Sequence, residues 1–363
     1  MIPRLPFRNL EPTFFAGQLD DPILLVRVRP RGKNLLVDCG QIHHLAKRVL
    51  KGVEAIFISH AHMDHFMGID TFIRHNHVSP RTFDLYGPPG LAGRLAHKLA
   101  GYDWNLTEDF WCTFRVHEIH SGRTESWEMA GRDGFPCRFI EATTRPDRTI
   151  FQGDYLRVEA ELCDHKIPTL AFRLTEREAF AVDTEKLRSQ GLVPGPWLRE
   201  LKRRFCRGEL DRSPLTVLRR DGETLRDEAI DNPAALFSAI RRTIAPASIG
   251  YVTDIGFTPE NRRKMRELLS GLTLLICECS YLAAERDKAR LSFHLCSSDV
   301  NQLVRELQPA YLLPMHLSKN YVGRGAQLYD ELDLPAGVTL LRIPEHLTPR
   351  PLLPAEVTHN IQT

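Results

Sequence analysis

Residues His60, His62, Asp64 and His65 stand within the stretch Ser59-His60-Ala61-His62-Met63-Asp64-His65, and each can ligate a cation. Alternate residues of an extended turn project the same way, so His60 and His62 can grip one ion. Asp64 and His65, on the tightening start of a helix, point to a second position beside it. Further candidates follow along the chain: His165 after Cys163-Asp164, Asp254 after Val252-Thr253, and His316 after Pro314-Met315. Two divalent cations about 3.5–4 Å apart can generate a bridging hydroxide at neutral pH and stabilise an in-line displacement at phosphorus. Such a site needs imidazole and carboxylate ligands, positions open to substrate, and one acidic group shared by both ions. The inventory fits with His60, His62 and His165 on the first ion, Asp64, His65 and His316 on the second, and Asp254 between them. Nitrogen-rich ligation without thiolate favours zinc, with manganese or iron compatible on ligand type. Asp64 is also placed to orient the attacking water. His294, among Ser292, Phe293 and Leu295, is a candidate to give a proton to the leaving oxygen or to stabilise charge on phosphate, with Glu278 orienting it.

Elements must carry these residues to one address. Ala55 to Ile58 is a short apolar run with strand character, and a helical pattern follows through Phe66, Met67, Ile69, Phe72 and Ile73. Strands are expected at 82–86, 154–162, 169–175, 247–253, 272–277 and 310–313, after a β-ribbon over 13–39. Thr258 and Pro259 open a helix, and Ser297 is expected to cap another. Strands alternating with helices imply an α/β layered fold, in which ligands bind at the carboxyl ends of strands. The HxHxDH cluster, His165, Asp254 and His316 all stand at such ends. The paired His43-His44 are expected on a helix, where neighbours cannot face one site. His75, His77, His97, His117 and His120 have no strand-end setting. Residues 102–150 lack a steady period and read as hairpins and loops.

Over 363 residues, hydrophobic residues make up 42% and charged residues 26%, the balance of a soluble globular protein with a sizeable core. No stretch has the apolar length to cross a bilayer, and the first residues lack the apolar core of a secretory signal, so a cytoplasmic protein is expected. The eight cysteines are scattered and read as reduced and mostly buried. A net charge of +2 does not by itself argue for nucleic acid.

Where the charges lie is more telling. Pro194, Gly195 and Pro196 make a stiff tip, followed by Arg199, Lys202, Arg203, Arg204 and Arg207. The run fits a solvated helix face equally with a protruding arm whose cationic flank meets phosphates.

The segment SHAHMDHFMGI resembles the HxHxDH motif of the metallo-β-lactamase superfamily, and within it the ribonuclease Z family of tRNA 3′-end-processing endonucleases. CDHKIPTLAFRL is similar to the family segment carrying the next histidine, and VTDIG takes the place of its bridging aspartate. ICECSY stands where the family has HEATF, and LPMHLSKNY resembles its closing motif. Residues 183–208, DTEKLRSQGLVPGPWLRELKRRFCRG, resemble the family's RNA-clamping arm with its proline-glycine tip. The resemblance implies a four-layer αββα sandwich split into halves 1–175 and 221–363 by an arm at 176–220, with the tip and Arg199 to Arg204 as RNA contacts. It also implies two zinc ions per chain, a homodimer, and a precursor-tRNA substrate cut to leave a 3′-hydroxyl on the tRNA. A hydrolase of the same fold acting on a small molecule or cyclic nucleotide is the competing reading. Three features depart from the family: Thr13 to Pro22 lacks the basic loop motif, Ile255-Gly256 follows the bridging aspartate, and 110–150 is long.

Overall fold

The computed structural model describes residues 5–347, so Pro349, Pro351 and Pro354 of the proline-rich tail lie outside the described residues. Among the described residues, those up to Glu176 and those from Ala247 onward form one compact unit, and Arg177–Pro246 form another.

The first unit opens with eight strands paired in chain order: β1 Leu10–Phe14, β2 Leu24–Val28, β3 Lys33–Val37, β4 Val53–Phe57, β5 Thr82–Gly87, β6 Thr113–His120, β7 Arg123–Ala130 and β8 Cys137–Thr144. Pairing is parallel from β3 to β6, where helical crossovers intervene, and antiparallel on either side. A second sheet begins with β9 Thr149–Gln152, β10 Leu156–Asp164 and β11 Pro168–Glu176. The chain then leaves for the second unit, whose hairpin is β12 Leu215–Asp221 and β13 Thr224–Ile230. It returns with β14 Ser248–Val252, β15 Leu274–Glu278, β16 Tyr311–Met315 and β17 Thr339–Leu340 to complete a sheet ordered β17-β16-β15-β14-β11-β10-β9.

Alternation along each strand explains the layering. Leu24, Val26, Leu35, Val37 and Phe57 point to one side of the first sheet and meet Val158, Phe172, Leu174, Ile249 and Ile276 of the second. Leu25, Leu36, Ile56 and Leu85 point to the other side, under Phe72, Ile73, Leu91 and Leu95 of two helices. Leu275, Cys277 and Leu312 likewise lie under Met265, Leu269, Val300 and Leu303. The result is the αββα sandwich. Each fully buried Leu or Phe stabilises it by about 1.5–3 kcal/mol, which makes the interior stiff enough to hold strained residues at its edge.

Several local expectations change. Within 102–150 the expected hairpins and loops are present, but the hairpins are long: β6, β7 and β8 pair antiparallel between Thr113 and Thr144, with a register shift at Ser126–Trp127, and 102–112 is loop. His120 thus does end a strand. His43 and His44 lie in a turn before the helix Lys47–Lys51. The helix after His62 is two pieces, Met63–Phe66 and Ile69–Asn76, broken at Gly68. Cys296, one residue before Ser297, is the cap of the helix Ser297–Leu307. In the second unit a boundary at 220 falls inside β12. Its partner β13 and the helix Pro233–Ile240 continue the unit, where Leu187, Trp197, Leu201, Val217 and Phe237 share one small core.

Candidate metal centre

The end of β4 sets the site. After Ile58, whose N–H still pairs with Tyr86 O at 2.7 Å, the chain turns through Ser59 and His60 into the helix Met63–Phe66, with His62 at its N-cap. That helix is held against the end of β3: Cys39 N–H donates to His65 O and Gly68 N–H to Cys39 O. The backbones approach so closely that a Cβ at Gly68 would lie 2.0 Å from Gly40 O. Only glycine fits there, and that close approach fixes where Asp64 and His65 sit.

The structure brings all seven sequence-named candidate ligands together. His60, His62, His165 and Asp254 offer ligand atoms within 4.8 Å of one another, as do Asp64, His65 and His316. Asp254, only 2% exposed, divides its carboxylate between the two groups. Its Oδ2 lies 3.4 Å from His60 Nε2 and 3.5 Å from His165 Nε2, and its Oδ1 lies 3.6 Å from His65 Nε2 and 3.5 Å from His316 Nε2. Asp64 Oδ2 is 3.6 Å from His65 Nε2 and 3.2 Å from His316 Nε2. Ligands about 2.0–2.2 Å from a tetrahedral ion stand roughly 3.3–3.6 Å apart, and these spacings cluster there. His60 Nε2 is buried without a hydrogen-bond partner, a cost that a bound cation removes. The donor set therefore fits a divalent metal.

The opposite ring nitrogens are occupied, which fixes the tautomers. His65 Nδ1 donates to Asp38 Oδ2 at 2.8 Å and His165 Nδ1 to Phe293 O at 2.7 Å. His60 Nδ1 lies 3.1 Å from Ser59 Oγ, which itself donates to Asp38 Oδ2. His316 Nδ1 lies 3.2 Å from Ser280 Oγ, which donates to Glu278 Oε2. With a proton on Nδ1, Nε2 is in each case the nitrogen turned to the centre. His62, open to solvent, packs its ring 4.5 Å from that of His60.

Electrostatics agree. Burial disfavours a charged imidazole at His60 and lowers its pKa to about 4 against the pull of Asp254. Burial also opposes charge on His316, yet Asp254 and Asp64 overcome it and raise the pKa to about 10. Burial raises Asp254, but His316, His65 and His60 outweigh it and hold the carboxyl well below the usual range. A proton on His316 thus takes the place of cationic charge that the carboxylates demand.

His294 and Glu278 also meet as expected: His294 Nδ1 and Glu278 Oε2 are 2.8 Å apart, while Glu278 Oε1 accepts Ile255 N–H at 2.7 Å. Burial lowers the His294 pKa, but Glu278 reverses this and raises it. Five residues at the site adopt positive φ without being glycine: Asp38, Lys166, Asp254, Phe293 and His316. Each such position costs on the order of 1–3 kcal/mol and persists because the surrounding sandwich over-determines it.

Sequence reasoning missed Asp38. It is fully buried and accepts from Ser59 N–H, Ser59 Oγ, His65 Nδ1 and Tyr251 Oη at 2.7–2.9 Å. Its signal was Asp38-Cys39-Gly40 at the end of β3, a strand end like the others.

In the second unit Pro194, Gly195 and Pro196 begin the helix Pro196–Arg207. Arg199, Lys202 and Arg203 are exposed, and Arg203 pairs with Glu200. Arg204 is turned inward, with Nε on Glu200 and its other nitrogens on the carbonyls of Arg212 and Pro214. That guanidinium holds the loop before β12.

A family model described as a β-lactamase superfamily domain matches residues 33–190. Ribonuclease Z of Deinococcus radiodurans is 32% identical over 293 residues, covering 79% of this chain and 83% of its own. Ribonuclease Z of Anoxybacillus flavithermus is 25% identical, covering 85% and 84%. Among solved structures, the short form of human tRNase Z superposes with a TM-score of 0.50 at 16% identity, covering 92% of this chain and 96% of that one. A long-form yeast RNase Z gives 0.52 at 11%, covering 93% and 41%, a likeness of fold.

Proposed function

The chain belongs to the ribonuclease Z family, and from that premise we propose that it cleaves precursor tRNA endonucleolytically, removing the 3′ trailer. The reaction breaks the P–O3′ bond, leaving a 3′-hydroxyl on the tRNA and a 5′-phosphate on the trailer. The observation that carries this reading is the split carboxylate of Asp254, with one oxygen toward His60 and His165 and the other toward His65 and His316. His60, His62, His165 and Asp254 would hold one zinc ion, and Asp64, His65, His316 and Asp254 a second. When bound, the pair supplies Lewis acidity to the scissile phosphate and lowers the pKa of water.

The chain's own groups do the rest. Asp38, Ser59, Ser280 and the Phe293 carbonyl hold four imidazoles in the tautomer that presents Nε2. Asp64, on the solvent side, orients the incoming water through its carboxylate. His294, its Nδ1 committed to Glu278, delivers a proton from Nε2 to the departing O3′. The exposed Arg199, Lys202 and Arg203 with the Pro194-Gly195-Pro196 tip give the RNA backbone a cationic surface. Among the described residues no helix is long and apolar enough to cross a membrane. We place the enzyme in the cytoplasm as a homodimer, in keeping with its substrate and family.

The test is cleavage of a precursor tRNA with a defined trailer by the purified protein and by Asp254→Asn, with product ends mapped. Trailer release by the wild type and loss of it in the variant are expected. A wild type that hydrolyses nitrophenyl phosphodiesters but leaves precursor tRNA intact would point to a small-molecule substrate.

A further inference from the structure

A second group of ligand-type side chains lies apart from the centre, on the helix-covered face of the β6–β7 hairpin. Glu118 and Glu125 are direct cross-strand partners, and His120 stands two residues beyond Glu118 on the same face. Like charges opposite each other in a sheet destabilise it, more so when one is as buried as Glu118, which is 5% exposed. Each carboxylate has one oxygen engaged elsewhere. Glu118 Oε1 accepts Ala92 N–H at the start of the helix Leu91–Ala100, and Glu125 Oε1 accepts from Arg123. The remaining oxygens turn to one nitrogen: His120 Nε2 lies 3.6 Å from Glu118 Oε2 and 3.4 Å from Glu125 Oε2. That nitrogen is buried and has no hydrogen-bond partner.

The spacing separates two explanations. The imidazole–carboxylate hydrogen bonds of this protein run from 2.8 Å, as in His65–Asp38 and His294–Glu278, to 3.2 Å, as in His117–Asp84. Between Asp254 and His60, His165 or His65, which face the cation positions proposed above, the separation is 3.4–3.6 Å. The Glu118–His120–Glu125 group has the second spacing, which is also the edge of a tetrahedron about 2.0–2.2 Å in radius. We propose that Glu118, His120 and Glu125 bind a third divalent cation, of the zinc class, that staples the β6–β7 hairpin. One imidazole and two carboxylates supply three corners, leaving the fourth to water. The ion neutralises the opposed glutamates and gives His120 Nε2 a partner.

The full-length wild type, His120→Ala and Glu125→Gln are dialysed against zinc, and the metal per chain is counted by mass spectrometry. Nitrophenyl diester hydrolysis is measured alongside. Three equivalents in the wild type should fall to two in each variant, with hydrolysis unchanged within about twofold. Asp254→Asn serves as the control for the main centre: its losses come from there, so the drop caused by the hairpin variants must persist in its background. Glu125→Gln keeps the side-chain shape and decides the matter if His120→Ala does not fold. Wild type and Glu125→Gln holding the same number of ions would overturn the proposal, as would the absence of an anomalous zinc peak between Glu118 and Glu125 in a crystal.

Discussion

His65 Nδ1 donates to Asp38 Oδ2 across 2.8 Å, although 27 residues separate the two in the chain. The same oxygen accepts from Tyr251, on the facing sheet. One carboxylate therefore ties β3, the HxHxDH turn and β14 together. Asp38→Ala should leave several buried donors unpartnered, costing about 1–3 kcal/mol for each. Zinc affinity should fall about 10–100-fold, the usual cost of removing a partner that orients a ligand. Competition titration against a zinc chelator reads the affinity; an unchanged constant would show that His65 needs no such support.

Glu278 and His294 act as a pair in this scheme. Glu278→Gln and His294→Ala should each lower precursor-tRNA turnover by about 10²–10⁴, the range for a lost general acid. A diester with a nitrophenolate leaving group needs no proton and should lose far less. Equal losses on the two substrates would move His294 from proton donor to a structural part of the centre.

Gly68→Ala puts a methyl against the Gly40 carbonyl, where the gap is only 2.0 Å. Relieving that clash must shift the turn carrying Asp64 and His65. Stability should drop by about 1–3 kcal/mol, as for other overpacked sites, and the second ion should be bound more weakly than the first. Thermal melts with and without zinc test this, and a fully metallated variant of normal stability would refute the close-approach argument.

The arm residues should divide into two kinds. Arg199→Ala, Lys202→Ala and Arg203→Ala should weaken precursor-tRNA binding and flatten its salt dependence, by roughly 0.7–0.9 in log–log slope for each phosphate left without its cation. Diester hydrolysis should not change. Arg204→Ala should instead loosen the second unit, since its hydrogen bonds go to Glu200, Arg212 and Pro214. Limited proteolysis near Ser213 separates the two; an Arg204→Ala protein as resistant as the wild type, with weaker RNA binding, would place Arg204 among the RNA contacts.

Much of the centre is legible in the chain because its constraints are local. His60, His62, Asp64 and His65 follow one another on one turn, Asp254 and His316 each end an apolar strand, and His165 follows an alternating one that sequence can recognise. An imidazole at a strand end is an unusual residue in an unusual place. The sandwich itself follows from alternation, since strands such as β2 and β3 are apolar on both faces and must be covered on both.

Tertiary structure alone decided what holds those candidate ligands still. Asp38, Ser59, Tyr251, Ser280 and the Phe293 carbonyl are common groups in common positions, and their role exists only because distant strands place them beside an imidazole nitrogen. Sequence reasoning expected hairpins within 102–150 but not their strand bounds, which the pairing of β6, β7 and β8 with one another sets. Arg204 reads like its cationic neighbours along the chain. Only the fold turns it inward, where nearby carbonyls and Glu200 satisfy a guanidinium that would otherwise face solvent.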